Sequence, residues 1–156
     1  MNQEFIKNAD LIHRVVAYYR QKLTESPKAL DYLKARGIVH PAVIDHFQIG
    51  YCDNTLHKIL PAAKTPKGKE IRNHLKTLGL VDRKGQERFK GCLTVPVQNQ
   101  HGEMIELYGR RAKDALPELK HLFLRDGKAG FFNLAAVEHK ELILCGSVID
   151  ALSFWI

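Results

Sequence analysis

In the first half of the chain, hydrophobic positions recur at helical spacing. Phe5, Ile6, Leu11, Ile12, Val15, Val16, Tyr19 and Leu23 form an apolar stripe that predicts an amphipathic helix over residues 4–23. Ser26-Pro27 predicts the start of a second helix, with serine as N-cap and proline at the first helical position, carrying Leu30 and Leu33 and stopped by Gly37. His40-Pro41 opens a short helix with Val43, Ile44 and Phe47. Thr65-Pro66 opens another, in which Ile71, Leu75 and Leu78 face inward and Gly79 is the stop.

Beyond Gly79 the pattern changes to that of strands. Residues 88–97 are strand-like, with Phe89, Cys92, Val95 and Val97 apolar and Pro96 marking an edge or a bulge at the end. Residues 99–102 read as a turn, and Met104, Ile105 and Leu107 lie on the returning strand of a hairpin. Residues 121–124 predict a third short strand, and residues 131–137 at least one helical turn. Residues 141–145 (Glu-Leu-Ile-Leu-Cys) predict a buried strand, followed by a Gly146-Ser147 turn and a helix from residue 148, the opening of a βαβ unit. The parallel neighbour that such a unit requires is not encoded. The chain is therefore expected to be a fragment of a longer protein, its βα unit poorly buried unless it pairs with the small sheet or a second copy.

Composition narrows the class. The chain has 156 residues, 45% hydrophobic and 26% charged, as in an ordinary globular protein, and no apolar run approaches the ~20 residues of a membrane helix. With no secretory signal at the N-terminus, a cytoplasmic location is expected. Cys52, Cys92 and Cys145 lie far apart and eight histidines are scattered, so no zinc ribbon is encoded and the thiols are expected to be reduced and mostly buried. Lys and Arg outnumber Asp and Glu by 24 to 17, a net +7, which favours an anionic partner, most commonly nucleic acid.

Five stretches, in order, carry a family resemblance. Tyr32-Leu-Lys-Ala-Arg36-Gly37 is like a Tyr-Leu-x-x-Arg-Gly segment, and Phe47-Gln-Ile-Gly50-Tyr51 is like Phe-x-Ile-Gly-aromatic. Arg88-Phe through Pro96-Val97, followed by Gly102 and Tyr108-Gly-Arg110-Arg111, forms the third. Lys120-His-Leu-Phe-Leu124 with Gly127-Lys128 to Asn133 forms the fourth, and residues 142–152, ending Gly146-Ser-Val-Ile-Asp150-Ala-Leu, the fifth. Each alone is weak, but in this order they resemble the catalytic core of a bacterial-type DNA primase, closest in wording to plasmid and mobile-element relatives. The resemblance implies an α+β fold: a helical N-terminal half with a small antiparallel sheet over residues 1–139, then the first βα unit of a TOPRIM fold over residues 140–156.

It also implies a function, RNA primer synthesis on single-stranded DNA in replication, this chain supplying template and nucleotide binding and being inactive alone. Carried over by position, Arg36, Arg111, Lys120 and Lys128 belong to the template groove; Arg88 and Arg110 are additions, Arg110 standing where the family has glycine. Any one of them read alone is more commonly a solvated surface charge. At the TOPRIM opening Asp150 keeps the aspartate position, while Gly146 occupies that of the catalytic glutamate, and no Asp-x-Asp occurs in the chain. Two-metal phosphoryl transfer needs several carboxylates, so no metal is expected to be held here, although the full-length family uses magnesium or manganese. Single-stranded DNA is the implied partner, a replicative helicase a further candidate, and the oligomeric state is left open. Two alternatives remain: a non-catalytic nucleic-acid-binding module of a mobile-element TOPRIM protein, and a topoisomerase- or nuclease-type relative.

Overall fold

A computed structural model describes residues 3–112, 120–125 and 130–155, with side chains from Asp10 onward. Helix α1 (Gln3–Thr24) and α2 (Pro27–Ala35) meet at Ser26, whose hydroxyl accepts from the Ala29 amide as the N-cap. Helix α3 (Pro41–His46) is capped by the His40 ring, which accepts from the Ala42 amide at 3.2 Å, and α4 (Pro66–Thr77) by Thr65. Helices α2, α3 and α4 each place proline at the start, where no amide hydrogen is missed.

The sheet is antiparallel and four-stranded, in the order β1 (Gly50–Tyr51), β2 (Cys92–Gln98), β3 (Met104–Arg111), β4 (His121–Phe123). Three of the strands follow the sequence pattern, although β2 begins at Cys92 rather than at residue 88. Strand β1 was not legible: it is two residues long and gains its hydrogen bonds only from β2. Pro96 lies inside β2 opposite Leu107, but β1 extends only as far as Thr94. Leu107 turns its carbonyl to β4, accepting from Leu124, so the Pro96 nitrogen faces the side where β1 has ended. The register shift follows at Val97/Gln98.

The sheet has helices on both faces, and alternation along the strands sorts the core in two. Leu93, Val95, Val97 and Tyr108 pack with Leu33 of α2, Val43 of α3 and Phe47 at the end of α3. Cys92 and Leu107 pack on the other side with Val15, Val16 and Tyr19 of α1 and Leu75 of α4. Two glycines permit the close approach. A Cβ on Gly50 would lie 2.8 Å from the Tyr19 backbone of α1, and one on Gly109 would run into the Phe89 ring. Glu87, on the α1 face, is a buried carboxylate satisfied by the Tyr19 hydroxyl, the Cys52 thiol and the Leu56 amide at 2.9–3.1 Å. Burial raises the pKa of Cys52, and that of Cys92 to about 11, which keeps both as inert thiols.

The C-terminal segment departs from the sequence reading. Residues 141–145 form no strand, and Leu142, Ile143 and Leu144 are 50%, 69% and 94% exposed. A strand exists only through hydrogen bonds to a neighbour, and residues 141–145 pair with none of the four strands. Cys145 is correspondingly only half-buried. Residues 131–137 do contain a helical turn, of the 3₁₀ kind, over Leu134–Glu138. The final helix, α5 (Val148–Phe154), is ordered against the body: Ile149 and Leu152 join the α2/α3 core, and Trp155 stacks on His46 at 4.8 Å.

Candidate nucleic-acid interface

One corner of the sheet, where β3 ends and β4 begins, gathers most of the basic residues singled out above. Arg110 and His121 are cross-strand partners, and the Arg111 amide donates to the Lys120 carbonyl at 3.1 Å. Alternation sends the two arginines to opposite faces. Arg110 lies opposite Leu93, on the α2/α3 face, and Arg111 opposite Cys92, on the α1 face. The doublet therefore straddles the sheet edge rather than forming one patch.

Arg110 is held by named partners. Its Nε donates to the Tyr32 hydroxyl at 3.1 Å and its Nη1 to His121 Nε2 at 2.6 Å. Because a guanidinium only donates, Nε2 accepts, and the ring proton sits on Nδ1, donated to the Tyr108 hydroxyl at 2.8 Å. Burial, and after it the Arg110 charge, lowers the His121 pKa and keeps the ring neutral; Asp150 opposes the shift and Lys120 adds to it. Arg36 enters the same face from the C-cap of α2, its guanidinium 5.6 Å from the centre of the Tyr32 ring. Among the described residues no carboxylate lies within ion-pairing distance of Arg36 or Arg110, so both charges remain available to an anion.

Helix α5 brings Asp150 to this corner. The Ser153 hydroxyl donates to the Arg36 carbonyl at 2.9 Å, and Asp150 acts electrostatically on Tyr108 and His121. Its carboxylate accepts from the Ser147 hydroxyl at 2.8 Å, while its own amide donates back to that oxygen, a reciprocal cap at the helix start. Gly146 stands just before it, and a Cβ there would meet open space. Among the described residues no three His, Cys, Asp or Glu side chains converge as a metal site. Asp150 alone, its oxygen already engaged by Ser147, does not fit a divalent cation, and no metal-dependent step can be derived from these residues.

Two of the sequence-selected residues stand apart. Arg88 donates through Nε to the Phe123 carbonyl at 3.1 Å. Leu124 and Lys120 point their backbone groups toward β3, so the Phe123 carbonyl points outward and Arg88 covers the free edge of β4. Lys128 lies outside the described residues. Sequence reasoning missed Tyr32, Tyr108 and His121. Two of these were inside the quoted motifs as aromatic positions, but nothing in a linear pattern says that residues 32, 108 and 121 meet around Arg110.

Comparisons with known proteins agree with this architecture. Residues 18–122 match the family described as the DNA primase catalytic core, N-terminal domain. A DNA primase of Pasteurella multocida is 30% identical over 113 residues, which are 70% of this chain and 19% of that protein. Among solved structures, a DnaG primase catalytic domain bound to single-stranded DNA superposes with a TM-score of 0.60 at 27% identity, covering 77% of this chain and 39% of that one. The zinc-binding and RNA polymerase domains of Aquifex aeolicus primase superpose with a TM-score of 0.64 at 26% identity, covering 83% and 32%. The chain thus spans about a fifth of the curated relatives it matches, and within that span, from the second half of α1 to β4, it belongs to the DNA primase catalytic-core family as its N-terminal domain.

Proposed function

We propose that this chain supplies the template-binding part of a primase that makes RNA primers on single-stranded DNA. The observation that carries the reading is the meeting of Arg36 and Arg110 on one face of a sheet corner, Arg110 preset by Tyr32 and His121, with Arg111 and Lys120 adjoining at the strand ends. A fixed guanidinium beside the half-buried Tyr32 and the exposed His121 ring suits a strand whose phosphates need cations and whose bases need flat surfaces. A solved relative carries single-stranded DNA in its catalytic domain, which supports the same partner here. Lys128 is assigned to the same groove by its family position.

Primer extension itself needs carboxylates that the described residues do not bring together, so nucleotide transfer, with magnesium or manganese, is assigned to a longer protein in which a TOPRIM domain starts near residue 140. A replicative helicase and a cytoplasmic setting go with that role. Gly146 favours a second reading, a nucleic-acid-binding module that has lost catalysis. In a protein carrying the whole domain, Gly146→Glu would restore primer synthesis under the first reading and have no effect under the second.

The binding test is fluorescence anisotropy with a labelled single-stranded oligonucleotide across a salt series. Three phosphate contacts predict that Arg36→Ala/Arg110→Ala/Arg111→Ala lowers the log–log salt slope by about 2 and the affinity by roughly tenfold or more. No binding at low salt, or an unchanged slope in the triple variant, would overturn the assignment.

A further inference from the structure

A cleft of about 450 Å3 opens beside strand β2, past the point where β1 has ended. Asn99 donates its backbone amide to Glu103, at the start of the returning strand, so the Gln98 backbone amide and carbonyl turn to the vacated side. Gln48, just past the end of α3, and Asn133, just before the 3₁₀ turn Leu134–Glu138, complete the polar lining. The volume lies within the range of ligand sites, roughly 300–1,000 Å3.

The lining reaches solvent. Gln98 is exposed, Gln48 and Asn133 are half-buried, and among the described residues no hydrogen bond engages their side-chain amides. Gln48 and Asn133 hold the left-handed conformation, at φ 50° and 55°, as two of the three described non-glycine residues that do. Glycine is the residue this backbone favours, so both positions carry an amide side chain at a cost in strain. Phe132 is half-buried and Val137 is 62% exposed, which gives the cleft apolar surface that a ligand can touch. Phe132 packs on Phe47 at 4.9 Å, in the cluster of the α2/α3 face, the face that carries Arg36 and Arg110. Among the described residues no lysine or arginine lines the cleft, while Glu138 does.

We infer that this cleft takes one unstacked base of the template strand, its flat face on Phe132 and Val137 and its edge read by the Gln48, Gln98 and Asn133 amides. An amide offers a donor and an acceptor side by side, the pattern of a base edge, and carries no charge that would hold a phosphate. With Glu138 in the lining and His46 already stacked on Trp155, a free nucleoside triphosphate finds no cation here. A base within a strand leaves its phosphate outside. Arg110 lies opposite Leu93, and Gln98 is five residues further along β2, about 17 Å away, within reach of a strand held at the sheet corner. The inference rests on the template-binding reading and adds to it the place where a base is held.

The test compares a labelled dT decamer with an abasic decamer carrying the same phosphates, by fluorescence anisotropy across a salt series. The parent is expected to prefer the dT decamer about fivefold or more. Gln48→Gly/Asn133→Gly should cut that preference about threefold or more at an unchanged salt slope and unfolding midpoint, since glycine fits both left-handed positions. Gln98→Ala, at an exposed strand end, should lower it in the same direction. Arg36→Ala/Arg110→Ala/Arg111→Ala should do the reverse, lowering the slope and keeping the preference. No preference in the parent, a preference unchanged in the glycine variant, or a slope that falls with it overturns the cleft and leaves the template reading standing. Absence of decamer binding at low salt overturns both. Deoxythymidine triphosphate, titrated alone, should leave the Trp155 fluorescence unaltered; a change that the glycine variant abolishes would overturn the strand in favour of a free nucleotide.

Discussion

Leu107 and Leu144 sit in two stretches that look alike as sequence, each a short apolar run of strand-forming residues. In the folded chain Leu107 is 0% exposed at the centre of β3, while Leu144 is 94% exposed in a segment without partners. Strand β3 has β2 on one side and β4 on the other, and packs under α1. Among the described residues, 141–145 have neither ladder nor lid. Hydrophobicity therefore states that a segment is fit to be buried, and the presence of a hydrogen-bonding neighbour decides whether it is.

Three measurements break or sharpen that contrast. Leu107→Ala should destabilise the chain by about 2–5 kcal/mol in urea unfolding, because the cavity it opens is walled by α1 and the neighbouring strands. A loss below 1 kcal/mol would mean that β3 is no better packed than the tail.

The next effect is smaller and concerns the sheet corner. His121 is held neutral in the folded chain, with its pKa below the ordinary histidine value of about 6.5. The unfolded chain therefore binds the proton more readily. This stabilisation is complete above about pH 6.5 and is lost as the pH falls through that value toward the lowered folded one. A protonated ring would also set an N–H against the Arg110 donor. Unfolding midpoints at pH 7.5 and 5.5 should differ less in His121→Gln than in the parent. Equal differences would show that the Arg110–His121–Tyr108 chain does not govern the ring.

The smallest effect belongs to the tail. Leu144→Ser should leave stability within about 0.5 kcal/mol of the parent, since the side chain gains little from the fold. A larger loss would show that residues 141–145 have found a neighbour, in a second copy or elsewhere on the body.

Much of the fold was legible because it rests on local chemistry. Ser26-Pro27, His40-Pro41 and Thr65-Pro66 each became a capped helix start, and the hairpin turn is closed by Asn99, whose side chain accepts from the His101 and Glu103 amides. The candidate site was only half legible. Arg36, Arg111 and Lys120 were picked out by motif and Arg110 as an addition beside it, but which of them meet depends on a strand register that joins residues far apart in sequence. Arg88 has the same chemistry and position in a motif, yet it was drawn off to cap the outward carbonyl of β4. The buried Glu87 gave no signal, for a carboxylate goes inside only where a hydroxyl, a thiol and an amide are already waiting.

By itself, then, the sequence determined the helix starts, the hairpin and the primase family. These follow from backbone geometry and periodicity, which act over a few residues. Only the tertiary structure decided which arginine faces a tyrosine and a histidine, which covers an edge, and which apolar run stays outside. Those outcomes depend on neighbours brought from distant parts of the chain, where hydrogen-bond register and packing, not local preference, set the free energy.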